Sequence, residues 1–158
     1  MTGKIRGVMP AVLIVSSLTA IPSVSFAADI VNKQLAACLA EKKPVGDVNS
    51  CGKRWKVGPS HAQVQADGTV NVQISGLVLD DASVGDANGT ADGVDAIAVA
   101  IVCGGKVTAQ AEPVPLTKEG GAKFTGKLAM PENCASPVVV VRERYEGKIG
   151  GWLAGTVQ

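Results

Sequence analysis

The segment between residues 80 and 95 is rich in side chains that could bind a metal ion. Oxygen-bearing side chains alternate there with small residues, as in loops that coordinate Ca²⁺; they are Asp86, Asn88, Thr90, Asp92 and Asp95. Ala91 and Ile97 stand where an EF-hand loop starting at Asp86 would have glycine and glutamate. Asp, Asn and Gly are also common in any exposed turn. The sequence therefore leaves two interpretations open, a calcium site and an ordinary surface loop.

Few residues in this chain could serve hydrolysis. A serine or cysteine nucleophile needs a nearby base, and His61 is the single histidine. Asp80 and Asp81 could act as a pair of carboxylates, but neighbours on a strand point to opposite faces. We predict no catalytic residue, and a small secreted hydrolase is kept as an alternative function that would use His61 or the two aspartates.

Two aromatic residues are candidates for contact with a partner. Trp55 lies within the basic run Lys53–Lys56, and Tyr145 lies in a segment of alternating charge, residues 142–148. Tyrosine and arginine are favoured at the centres of protein interfaces. The alternatives are a buried Trp55 and a solvated strand edge around Tyr145. Trp55 and Tyr145 are thus predicted to bind an unknown protein or surface ligand.

The four cysteines are predicted to form two disulfide bonds. An even number of cysteines in an exported chain is typical of a disulfide framework, and four cysteines allow three pairings. The local pairing is preferred, Cys38 with Cys51 and Cys103 with Cys134. A zinc site is not indicated, because the chain has one histidine and no C-x-x-C pair. We predict no cofactor apart from the calcium alternative.

The first 27 residues have the order of parts found in a secretory signal peptide. Two basic residues precede an apolar run from Val8 to Ile21, and Ser25 and Ala27 have the small side chains that a signal peptidase accepts. The run is shorter than the ~20 residues that cross a bilayer. Cleavage is predicted after Ala27, so the protein would be secreted or periplasmic, with residues 28–158 as one domain.

Charge gives no indication of a nucleic acid partner. Without Lys4 and Arg6 of the predicted signal, the chain has 13 basic and 14 acidic residues, and the basic ones are scattered. Binding to nucleic acid or to an anionic membrane needs a concentrated positive surface. We therefore predict no nucleic acid partner and no membrane span in the exported form, and the oligomeric state stays open.

A helix is predicted just after the cleavage site. Val31, Leu35, Cys38 and Leu39 recur as they would on one face of a helix, with alanines between them. Lys42, Lys43 and Pro44 would end it. The prediction is a short helix over residues 29–43, attached by Cys38 to the segment around Cys51.

From residue 54 onward the repeat of apolar residues changes to two, which predicts strands. Residues 61–66 and 69–75 alternate on either side of Asp67–Gly68, a strong hairpin turn. Val70, Val72 and Ile74 would face the core, and the polar residues between them would face water. Further strands are predicted at 96–103, 106–110, 122–130, 138–142 and 152–156.

These elements predict a mainly β fold. Six to eight short strands separated by turn signals are typical of an antiparallel sandwich. We predict an immunoglobulin-like β-sandwich over residues 54–158, preceded by the short helix and held by two disulfides.

The second half of the chain resembles a group of small secreted bacterial proteins of unknown function. The resemblance rests on the strand that ends at Cys103, on the pattern P-x-x-C-x-x-P-V-V from Pro131, and on the closing segment Gly151–Thr156. It covers about residues 94–157 and implies a fold, but no activity or site residue. The loop at 80–95 and the segment from Cys38 to Cys51 depart from it.

Together these features favour an exported, non-enzymatic binding or interaction domain. The loops at 80–95 and 142–150 would make the contacts, since loops on a rigid scaffold commonly carry binding residues. A calcium-stabilised structural domain of the cell envelope or extracellular space is a second hypothesis, and the small hydrolase is a third.

Overall fold

A computed structural model describes Gly3, residues 27–39 and residues 43–157 of the chain. Strands dominate this part, and a short 3₁₀ segment, Ala82–Ala87, lies among them with a kink at Gly85. In chain order the strands are β1 (Asp29–Gln34), β2 (Ala36–Ala37), β3 (Trp55–Lys56), β4 (His61–Gln65), β5 (Thr69–Ile74), β6 (Val78–Leu79), β7 (Ala96–Cys103), β8 (Lys106–Gln110), β9 (Val114–Pro115), β10 (Ala122–Lys127), β11 (Val138–Tyr145) and β12 (Lys148–Gly155).

The named strands pair in antiparallel fashion. One sheet has the order β1-β4-β5-β10, and the second has the order β2-β12-β11-β7-β8, with β9 also paired to β7. A two-stranded ribbon joins β3 to β6. The fold is therefore mainly β, as predicted.

A single hydrophobic cluster takes side chains from both large sheets. Val64, Val70 and Val72 contribute from the first sheet, and Ile101 and Leu153 from the second, all of them buried. β7 is buried along its whole length apart from its terminal cysteine. β-branched side chains suit such a strand, because they pack well on a pleated surface.

The helix predicted over residues 29–43 is wrong. Residues 29–34 and 36–37 are strands, and residues 40–42 lie outside the described part of the chain. Val31, Leu35 and Cys38 are buried as predicted, but they join the hydrophobic cluster from a non-helical backbone. β1 pairs with β4, with a register shift between Asp29 and Val31. Tertiary pairing here overrides the helical propensity of the segment.

The hairpin predicted at Asp67–Gly68 is confirmed, although its connection is one residue longer. β4 pairs with β5, and residues 66–68 connect them, with Gly68 at a φ of +83°. A three-residue connection with glycine in the left-handed region is a common hairpin form. Val70, Val72 and Ile74 face the core as predicted.

Both predicted disulfides are present. Cys38 is bonded to Cys51, and both cysteines are buried. Cys103, at the end of β7, is bonded to Cys134, in the turn that precedes β11. Because β7 and β11 are paired neighbours, the second disulfide holds the same end of both strands.

The loop predicted over residues 142–150 is mostly strand. β11 runs to Tyr145 and β12 begins at Lys148, so only Glu146 and Gly147 form the turn. Their φ angles are +48° and +75°. Two successive left-handed residues match the twist of the flanking strands, and pairing continues to Tyr145 and Lys148 at the tip, with register shifts on either side of Arg142.

Two expectations about the start of the chain have different outcomes. The predicted signal peptide falls almost wholly on residues 4–26, which lie outside the described part. In the part that is described, no helix has the length and apolar character needed to cross a membrane.

The β4–β5 hairpin should weaken in acid through Asp67. Its carboxylate lies 2.9 Å from Lys127 Nζ and accepts a hydrogen bond from the Thr69 amide. The hydrogen bond from Lys127, together with that from Thr69, lowers the pKa of Asp67 from 3.8 to about 2. Because the pKa is lower in the folded state, this stabilisation is present above pH ~4 and is lost as the pH falls towards 2.

Urea unfolding at pH 5, 3 and 2 measures this contribution. Asp67→Asn should lose stability at pH 5 and show a smaller drop between pH 5 and 2 than the unmodified protein. Asp86→Asn, at an exposed loop position, is the control. If the free energy of unfolding fell equally between pH 5 and 2 in Asp67→Asn and in the unmodified protein, the stabilising role of Asp67 would be contradicted.

Candidate functional site

The loop at 80–95 is closed at its base by backbone hydrogen bonds to Leu79. The Leu79 amide donates to Thr90 O at 2.8 Å, and the Gly89 amide donates to Leu79 O at 2.9 Å. Residues between them therefore form a compact loop whose two ends meet, the arrangement known as an Ω-loop. Backbone hydrogen bonds within the protein therefore hold the base of this loop.

Side chains stabilise the inside of this loop. Asp81 caps the 3₁₀ helix by accepting a hydrogen bond from the Ser83 amide at 2.9 Å. Hydrogen bonding to Ser83 lowers the pKa of Asp81. Asn88 Oδ1 accepts from the Asp81 amide at 3.0 Å. Two short polar side chains thus stabilise the loop by bonding to nearby backbone amides, as Asp and Asn commonly do.

The β11–β12 hairpin lies against this loop. Arg144 Nη1 is 3.5 Å from Asp95 Oδ2. The Tyr145 ring lies beside Gly93, where a Cβ atom would be at an ordinary contact distance of 3.7 Å from Tyr145 Cε2. Glycine suits position 93 because its φ of +82° lies in the left-handed region. The two segments predicted to make contacts are neighbours in space.

The segment at 116–121 forms a third wall. The Ala91 amide donates to Lys118 O at 2.9 Å, and the Leu77 amide donates to Gly120 O at 3.0 Å. Sequence reasoning did not identify this segment as part of a site. The Gly120–Gly121 pair could have indicated a tight turn there. We call the surface formed by residues 80–95, 116–119 and 142–150 the loop face.

Trp55 lies beneath the loop face and contributes little surface. It is 3% exposed and pairs with Leu79 in the β3–β6 ribbon. Tyr145 is 52% exposed. Trp55 was predicted as a binding residue, but its burial favours the alternative of a core residue, whereas Tyr145 is accessible.

Two shallow hollows share Tyr145 as a lining residue. One, of about 330 Å³, lies above Trp55 and is lined on its apolar side by Leu79, Val84 and Val94. The other, of about 450 Å³, extends to Leu116 and Lys118. Asp92 and Gly93 line both hollows. The half-exposed tyrosine is therefore flanked by concave surface on two sides.

The predicted calcium ligands are not assembled into one site. Thr90 Oγ1 donates to Ala87 O and accepts from the Asp92 amide, Asn88 Oδ1 bonds within the loop, and Asp95 pairs with Arg144. In residues 27–39 and 43–157, three or more His, Cys, Asp or Glu side chains do not come together as a metal site would need. The ion site stays a prediction, and the loop geometry does not support it.

The residues considered for hydrolysis lie in two separate places. His61 Nε2 is 2.6 Å from Asn32 Oδ1 on the exposed face of the first sheet. Asp80 pairs with Arg54 at 3.5 Å and with Lys56 at 4.0 Å, beside the loop face. Among the described residues, the recorded hydrogen bond of the His61 ring is to an amide and not to a serine hydroxyl. This arrangement does not provide an activated nucleophile.

Comparison with known proteins adds no relative. The chain matches no model of a protein family, no curated protein and no solved structure. The resemblance drawn from residues 94–157 therefore stays a prediction.

Calcium should leave the stability of the protein unchanged. The loop closes through its own hydrogen bonds, so an ion has no unfilled cage to stabilise. We expect the thermal midpoints in EDTA and in millimolar Ca²⁺ to agree within about one degree, because only a ligand that binds the folded state raises the midpoint. A rise of several degrees that disappears in Asp86→Ala and Asp92→Ala would contradict this expectation and restore the calcium hypothesis.

Proposed function

We propose that the protein is an exported, non-enzymatic binding domain and that the loop face is its contact surface. The observation that carries the proposal is Tyr145, which is half-exposed over Gly93 and has a hollow on each side. Rigid aromatic side chains beside concave surface are typical centres of protein interfaces.

The composition of the loop face suits a protein partner. Its hollows have an apolar floor that includes Val94 and Leu116, and a rim with charges of both signs, from Lys53 and Lys118 to Asp92 and Glu143. Apolar centres with polar rims are usual for interfaces between proteins. The partner we propose presents an apolar side chain to the hollow beside Tyr145.

The strand order supports an immunoglobulin-like sandwich as the scaffold. In the second sheet, β12-β11-β7-β8 follows the order G-F-C-C′ of immunoglobulin domains, with hairpins in the corresponding places. In the first sheet, β5 and β10 are adjacent without being consecutive, as strands B and E are. The disulfides depart from that pattern, because Cys103–Cys134 lies within one sheet region and does not bridge the two sheets.

Export is supported by the disulfides. The cysteines of the described chain are all paired, and such bonds persist in oxidising compartments such as a periplasm or the extracellular medium. We therefore retain a secreted or periplasmic location, with cleavage near Ala27, as part of the proposal.

Site-specific photocrosslinking tests the loop face directly. p-Benzoylphenylalanine placed at position 84 or 148, on the loop face, should capture one and the same protein in the native host. Placed at position 106, at the opposite end of β7, it should not. Tyr145→Ala should lower the yield from position 84 by about tenfold, the size of effect expected at an interface centre.

Tyr145→Phe is the matched control, because it keeps the ring over Gly93 and removes only the hydroxyl. It should retain most of the capture. Absence of any crosslinked protein from both loop-face positions, or equal capture from position 106, would contradict the proposed contact surface.

A further inference from the structure

The outer face of the sheet β1-β4-β5-β10 is a regular array of polar side chains. Residues paired across antiparallel strands share a face, so the strand registers arrange these side chains in rows. One row is Gln34, His61, Gln73 and Lys123; the next is Asn32, Gln63, Asn71 and Thr125; and the last is Asp29, Gln65, Thr69 and Lys127. We call these twelve residues the polar array.

The array is regularly spaced on its central strands. Neighbouring strands lie about 4.8 Å apart, and residues on one face of a strand recur about every 6.7 Å. On β4 and β5 the residues between the array positions are buried and apolar; they are Ala62, Val64, Val70, Val72 and Ile74. Burial of these side chains in the core determines which side chains of the two strands point outward. The array is therefore displayed by a rigid scaffold.

Amide groups are concentrated in this array. It holds four of the six glutamines of the chain, Gln34, Gln63, Gln65 and Gln73, together with Asn32 and Asn71. The outward positions of the central strands β4 and β5 include no Asp, Glu, Lys or Arg. The solvated face of an antiparallel sheet is usually polar; here amides supply that polarity on the central strands, and the charged members of the array stand on the edge strands β1 and β10.

Hydrogen bonds hold one edge of the array in place. Gln63 Nε2 donates to both oxygens of Asp29, at 3.0 and 2.9 Å, and Asn32 Nδ2 donates to Asp29 Oδ2 at 3.0 Å. Asn32 also contacts His61. The hydrogen bond from Gln63 is the largest of the interactions that lower the pKa of Asp29. This network keeps the β1 side of the face ordered.

The other side of the array has no such network among the described residues. The side chains of Asn71, Gln73 and Thr125 form no hydrogen bond to another residue within the described part of the chain. An amide presents donors and an acceptor together, and a hydroxyl does the same. A ligand that matches this half must itself carry donors and acceptors side by side.

We propose that the polar array binds a neutral polysaccharide strand. Hydroxyl groups in series along a flat, uncharged polymer offer the alternating donors and acceptors that the amides require. A polyanion would need a cluster of cations, but the array has only Lys123 and Lys127 at one edge, and Lys127 pairs with Asp67. A lipid or an amphipathic helix would need apolar surface, which the twelve positions do not supply.

Binding to soluble and insoluble polysaccharides tests this proposal with the full protein. Retardation in native gels that contain soluble neutral polysaccharides, such as dextran, mannan and galactomannan, and retention on cellulose and chitin are the readouts. We expect binding to at least one of them, and we expect it to persist at 0.5 M salt because these polysaccharides carry no charge.

The double variant Asn71→Ala/Gln73→Ala should weaken that binding by about tenfold or more, because it removes two hydrogen-bonding side chains from the face. These side chains have no described internal partner, so the fold should be kept, which circular dichroism checks. Asn133→Ala, at an exposed amide outside the array, should bind as the unmodified protein does.

Three outcomes would overturn the proposal: no binding to any neutral polysaccharide, binding that the double variant leaves unchanged, or binding only to anionic polysaccharides that salt abolishes. Tyr145→Ala separates this surface from the loop face. Loss of polysaccharide binding in Tyr145→Ala alone would overturn the array and move the glycan to the loop face, whereas failure of the crosslinking experiment leaves the array unaffected.

Discussion

The pairing of β7 with β11 is the interaction on which the rest of the structure depends. Seven consecutive residue pairs join them, from Val138 with Val102 to Arg144 with Ala96. Most of the paired side chains are buried, so burial of apolar surface contributes most of the stabilisation in this region. A domain with few aromatic residues has to build its core from such densely packed aliphatic strands.

The two ends of this strand pair have different roles. At one end, Cys103 and Cys134 join the strands covalently. At the other end, β7 begins at Ala96, directly after the loop at 80–95, and β11 ends at Tyr145. The contact surface proposed for this protein is therefore placed by the most buried part of the fold, while the loop itself is closed by Leu79. Such preorganisation reduces the entropy that a binding event must overcome.

The parts of the fold that depend on local pattern could be predicted from the sequence. Alternation along β5 and the turn at Gly68 predicted the first hairpin, and the apolar run of β7 predicted a buried strand. The spacing of the cysteines favoured the pairs that the structure contains. Each of these features is decided by residues close together in the chain or by a strong apolar signal.

The features that the sequence did not predict depend on distant partners. Val31, Leu35 and Cys38 have the spacing of a helix, yet residues 29–34 form the edge strand β1, which pairs with β4. The burial of Trp55 follows from its pairing with Leu79, across the ribbon. The meeting of Tyr145 with Gly93, and the rows of the polar array, require the register of several strands. A single sequence does not contain that register, because a shift of one residue exchanges the two faces of a strand.

Native-state hydrogen exchange tests most directly whether the β7–β11 pair holds a preorganised loop face. The account predicts that the amides of β7 and β11 exchange only through global unfolding, and that the bonded amides of Leu79 and Gly89 are strongly protected without any ligand. Exchange of the Leu79 and Gly89 amides at the rate of an unprotected chain, or exchange in β7 as fast as in the edge strand β1, would contradict it.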